Sequence, residues 1–177
     1  MKQEIRIAFR RDTAMLKEAF DDLLIKVVNA VQTFYGDRLV TFAVYGSVAR
    51  GTMRPDSDVD LVVIVKDLPC GRMKRMLEFE TVEQRLSETF TALKKQGIDT
   101  TLAPILKTPE EAQAGSPLFL DMVEDAALLY DRDNFFAQRL ERLRKRLRQL
   151  GAKRIWRGNA WFWDLKPDFK PGEIFEL

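Results

Sequence analysis

The chain has no histidine and a single cysteine, Cys70, among its 177 residues. Without histidine, Ser-His-Asp and Cys-His nucleophilic centres and imidazole-ligated metal sites are excluded. One cysteine rules out an intramolecular disulfide and a thiolate zinc cage. Any catalytic metal must therefore be held by oxygen ligands, which points to Mg²⁺ or Mn²⁺. No apolar run approaches the roughly 20 residues that cross a bilayer, so no membrane partner is expected. The opening residues, MKQEIRIAFRRD, lack the apolar stretch of a secretory signal, and the expected address is the cytoplasm.

What is present is ordinary in bulk. A hydrophobic fraction of 46% and a charged fraction of 32% suit one globular domain with a proper core. The net charge of +2 hides an asymmetry. Residues 109–133 hold seven acids against one base, and residues 138–157 hold nine bases against one acid. Such a basic run suits an RNA or phosphate surface. A solvated helix face docked on the acidic segment explains it more simply, so nucleic acid is not the favoured partner.

The informative stretch is VTFAVYGSVARGTMRPDSDVDLVVIV, residues 40–65. Its two ends, residues 40–45 and 59–65, are β-branched and aromatic enough to read as buried strands. Between them lie Gly46-Ser47, Gly51, the turn residues Pro55-Asp56-Ser57, and then Asp58-Val59-Asp60. Strand side chains alternate faces, so Asp58 and Asp60 point the same way and Val59 turns toward the core. Two carboxylates on one face beside a Gly-Ser turn suit a divalent cation and a phosphate chain. Gly46 lets backbone approach closely, and Ser47 offers a hydroxyl and a free amide.

The run Gly46-Ser47-Val48-Ala49-Arg50-Gly51, followed by Ser57-Asp58-Val59-Asp60-Leu61, resembles the signature of the DNA polymerase β-like nucleotidyltransferases. The closest flavour is the minimal nucleotidyltransferases. The resemblance implies an α/β (α+β) fold, a small mixed β-sheet flanked by helices. It implies transfer of a nucleoside monophosphate, with ATP the expected donor, to a hydroxyl of a protein, RNA or small molecule. Asp58 and Asp60 would hold Mg²⁺ (or Mn²⁺), and Gly46 and Ser47 would seat the nucleotide phosphates. The family places a third carboxylate on the third strand, and Asp99 is the only acid there. If Thr101 or Ala103 occupies the facing position instead, that carboxylate is missing. Many minimal nucleotidyltransferases pair with a helical HEPN-type toxin, so such a partner, and a catalytically silent binding module, are the alternatives the resemblance brings.

Elsewhere the pattern is structural. Residues 1–10 read as a lead-in strand or an early helix, and Asp12 as the cap of an amphipathic helix ending near Gly36. Residues 71–96 read as one helix closed by Gly97, and residues 98–106 as the third strand, with Pro104 marking an edge. Thr108-Pro109-Glu110-Glu111 is a capping box. Residues 128–130 suggest a further strand, and Phe136, Leu140, Leu143, Leu147 and Leu150 line one side of a basic helix. Gly158-Asn159 suggests a hairpin turn in a tail that holds all three tryptophans. Those aromatics could stack bases, seal the open end of the core or form a homodimer interface, the last two being preferred. The expected division is a core over residues 1–133 and a basic, Trp-rich extension over residues 134–177.

Overall fold

The computed structural model describes residues 2–158, 160–170 and 172–177. The chain order is helix α1 (Lys2–Tyr35), strand β1 (Leu39–Tyr45), the single turn α2 (Gly46–Ala49) and strand β2 (Val59–Val65). Helices α3 (Arg72–Arg85) and α4 (Ser87–Lys95) lead to strand β3 (Leu102–Lys107) and helices α5 (Pro109–Ala114) and α6 (Phe119–Asp125). Strand β4 (Ala127–Asp131), helix α7 (Phe135–Gln149) and the hairpin β5 (Lys153–Arg157) and β6 (Ala160–Asp164) complete it.

The four-stranded sheet runs β3-β2-β1-β4, with β1 antiparallel to both neighbours and β2 parallel to β3. It is mixed, as expected. A central strand covered on both faces reads as an unbroken apolar run, and β2 shows why. Val59, Leu61, Val63 and Val65 pack on one face against Phe20, Leu23, Val27 and Val31 of α1 and Phe79 and Val82 of α3. Val62 and Ile64 pack on the other face against Phe119 and Met122 of α6 and Phe136, Leu140, Leu143 and Leu147 of α7. Asp60 shares the parity of Val62 and is the only β2 residue that is not buried. The seam of α7 therefore docks on the chain's own sheet.

Asp131 ties three elements together. Its carboxylate accepts from the buried Thr41 hydroxyl (2.7 Å) and from the amides of Phe136 (3.0 Å) and Ala137 (2.9 Å) at the start of α7. The capping box at Thr108 forms as expected, with Thr108 and Glu111 exchanging hydrogen bonds. Glu111 also pairs with Arg75 (2.7 Å), and that hydrogen bond holds its carboxyl down at about 2.

Three local expectations are corrected. Helix α1 already begins at Lys2, so Asp12 lies inside it and not at its start. Residues 2–11 are rich in good helix formers and carry no breaker, so the helix runs through the local cap signal. The helix expected over residues 71–96 breaks at Leu86, whose backbone (φ −101°, ψ 2°) separates α3 from α4. The third strand starts at Leu102, not at residue 98. The Thr100 hydroxyl and the Thr101 carbonyl are spent on Ser57 and Val59 instead, anchoring the loop before β2. Pro104 lies on β3, an outer strand, as its missing N–H requires. The expected hairpin forms, though Asn159 of its turn lies outside the described residues. Among the described residues, no helix is long and apolar enough to cross a membrane.

Candidate active site

Strands β1 and β2 pair so that Tyr45 stands opposite Asp60, and Gly46 follows directly. Gly46 has φ +72°, and a Cβ built on it would lie 2.1 Å from the Asp60 carboxylate oxygen. Only glycine permits that approach, because it carries no side chain and adopts positive φ without strain. The signature loop then folds on itself. The Arg50 amide donates to the Gly46 carbonyl (3.2 Å) and the Thr52 amide to the Ser47 carbonyl (2.9 Å). The turn before β2 is closed by Ser57, whose hydroxyl accepts from the Arg54 amide (2.9 Å), while Arg54 pairs with Asp56 (3.2 Å).

Asp58 is exposed and Asp60 half-buried. Burial and the charge of Asp58 push the Asp60 carboxyl above its usual range, and Arg50 acts in the opposite sense. Tyr45 is raised to about 12 by burial and by the charges of Asp60 and Asp121. Gly46, Ser47, Asp58 and Asp60 thus meet at one end of the sheet, on the face covered by α6.

Asp99 does not join them. Strand β3 pairs Leu102 with Val59 and Ala103 with Asp60, so Thr101 and Ala103 share the face of the two carboxylates. The Thr101 hydroxyl donates to Asp58 (2.7 Å). Asp99 precedes the strand, is 71% exposed, and pairs with Lys94 (3.3 Å). Its amide is held by the Pro55 carbonyl (2.9 Å), which fixes it in the loop. Among the described residues, no group of three or more acidic or cysteine side chains could hold a metal ion.

The far wall of the site went unforeseen. Asp125 of α6 pairs with Arg50 (3.5 Å) and with Arg154 of β5 (2.7 Å). Asp121 accepts from the Trp161 indole (3.1 Å). The acidic segment 109–133 is expected to face the basic segment 138–157, and the Asp125–Arg154 pair is one such contact. Nothing in the sequence connected Trp161 or Arg50 to Asp121 and Asp125.

A family model for the nucleotidyltransferase domain matches residues 24–113. A curated relative, MJ1305 of Methanocaldococcus jannaschii, which carries the provisional name of a protein adenylyltransferase, is 33% identical over 141 residues. That alignment spans 78% of this chain and 88% of the relative. The chain therefore belongs to the nucleotidyltransferase family. Its class of activity is nucleotidyl transfer. Among solved structures, a toxin–antitoxin with AMP-PNP is similar at 18% identity and TM-score 0.41, over 70% of this chain and 91% of that one. A mutant of the toxin–antitoxin MntA-HpeT is similar at 15% identity and TM-score 0.43, over 74% and 91%.

Proposed function

We propose that this chain transfers an adenylyl group from ATP to a protein hydroxyl, and that Gly46, Ser47, Asp58 and Asp60 form its site. The observation that carries the reading is the Gly46–Asp60 approach, which gives up any side chain at residue 46 so that a carboxylate can sit against the signature loop. The name of the relative supports ATP and a protein acceptor. In the reaction the acceptor oxygen bonds the α-phosphorus, the α–β bridging bond breaks, pyrophosphate departs, and the hydroxyl proton passes to water.

The donor set fits a hard divalent cation. Asp58 and Asp60 offer only oxygen, and Mg²⁺ is commonly held by one or two carboxylates together with waters and substrate phosphates. When bound there, the cation supplies Lewis acidity and neutralises phosphate charge. Thr101 fixes the rotamer of Asp58 through its hydroxyl. Gly46 and Ser47 present backbone to the phosphates, and Arg50 adds a guanidinium beside Asp60.

The outward placement of Asp99 favours a second reading. A site with two carboxylates can bind nucleotide without turning it over, as a silent module that docks on a protein partner, such as a HEPN-type toxin. ATP labelled at the α-phosphate, incubated with Mg²⁺, the protein and a cell extract, decides between them. An Asp58→Asn/Asp60→Asn variant is run alongside. Label in protein that depends on both carboxylates is expected. Mg²⁺-dependent ATP binding without label supports the silent module, and neither transfer nor binding overturns both readings.

A further inference from the structure

Two of the three acids of α6, Asp121 and Asp125, are taken by the C-terminal hairpin. Arg154 grips Asp125 through its two terminal nitrogens (2.7 and 3.4 Å), and the Trp161 indole donates to Asp121 (3.1 Å). Two guanidinium groups lie over the Trp161 ring, that of Arg154 at 4.2 Å from its centroid and that of Arg50 at 4.8 Å. Arg50 also reaches Asp125, at 3.5 Å. Arg50 belongs to the signature loop, whereas Trp161 and Arg154 lie beyond the matched residues 24–113. The hairpin thus touches the signature loop through the Trp161 ring.

The charges explain what this contact does. If Asp125 had only Arg50 as a partner, that pair would neutralise itself, and Arg50 would be lost to any incoming anion. Arg154 satisfies Asp125 with the shorter bridge, so Asp125 neutralises Arg50 only in part and the guanidinium keeps charge to offer an anion. A free arginine carries considerable rotamer entropy, which ordering on a ligand must overcome. An aromatic face that attracts the guanidinium keeps it placed before the ligand arrives. Preorganised positive charge next to Asp58 and Asp60 suits a polyphosphate.

We propose that Trp161 is a positioning residue of the nucleotide site, seating the Arg50 guanidinium for the phosphates of a nucleoside triphosphate. This rests on the nucleotidyl-transfer reading above. The test is calorimetric titration with MgATP, together with KM and kcat where transfer is measurable. Trp161→Ala and Arg50→Ala should each weaken MgATP affinity about tenfold, as loss of a seated cation predicts. The double variant should bind no more weakly than Arg50→Ala alone, because the ring acts through that side chain. Trp161→Phe, which keeps a π-face, should recover affinity to within about twofold of the parent. The losses should fall on KM and leave kcat nearly unchanged. Phe162→Ala, on the opposite face of the hairpin and 44% exposed, should have no effect. If Trp161→Ala does not fold, Trp161→Leu keeps bulk without a π-face and carries the same expectation.

Additive losses in the double variant, parental affinity in Trp161→Ala, or an equal loss in Phe162→Ala would overturn the assignment of Trp161 while leaving the transferase reading in place. A parent protein that does not bind MgATP would overturn the transferase reading itself, and this inference with it.

Discussion

Asp60 is ionised at a cost, because β2 carries it onto a half-buried face beside the charge of Asp58. Its folded carboxyl titrates above the unfolded one, so folding favours the protonated form. The stability it contributes is present below the unfolded pKa and is lost as pH rises through the folded value. Asp60→Asn should therefore raise the melting midpoint at pH 7 by a few degrees while abolishing transfer. That gain should shrink as the melt is repeated at falling pH, through the raised point at which the parent carboxyl protonates. Thermal melts across pH, with a transfer assay, check both halves. Gly46→Ala should instead lower stability. Its cost is about 1–3 kcal/mol by urea denaturation, from the positive φ and the displaced carboxylate together. In an Asp60→Ala background only the backbone share, about 1–2 kcal/mol, should remain.

At the scale of elements, what was legible in the sequence is what short-range chemistry dictates. The Gly-Ser turn, the Asp-x-Asp step into β2, with Asp58 just before the strand and Asp60 on it, and the capping box at Thr108 each depend on neighbours a few residues apart, and each forms. The register of β3 on β2 depends on pairing across some forty residues, and no local pattern specifies it. Asp99 has the same parity as Thr101 and Ala103, so alternation alone could not exclude it. The Pro55 carbonyl, some forty residues away in sequence, holds its amide off the strand, and the nearby Lys94 pairs with its carboxylate there. The break at Leu86 was equally hidden, because the apolar spacing of α3 and α4 continues across it. Register makes its own prediction. Ala103 pairs with Asp60, so Ala103→Asp should add a third carboxylate and tighten Mn²⁺ binding about tenfold by calorimetry. Unchanged affinity would show that this β3 position does not face the pair.

At the scale of the whole molecule, the sheet has two covered faces of different origin. One is sealed by α1 and α3, and the other by α6 and α7. Both α6 and α7 lie beyond the segment matched by the family model. The second face also carries Asp60, so its packing and the site are coupled. Phe136 is fully buried there and meets Phe119 edge to face at 5.0 Å. Phe136→Ala should cost about 3–5 kcal/mol in urea denaturation, and more of the site's affinity for nucleotide than a matched cut on the α1 face. Equal effects on affinity from the two faces would separate the packing from the site.

That arrangement sets a timetable during synthesis. Strands β1 and β2 are made early, and α1 is already available to cover one side of them. The other side, with Val62 and Ile64, must wait for Leu147 to emerge, on the order of ten seconds later at ordinary elongation rates. Until then the nascent chain presents a half-finished sheet with a wet apolar surface and an unpaired β1 edge. The face that bears the carboxylates is the last to be dried, so each new molecule passes through an adhesive stage before it can bind a nucleotide.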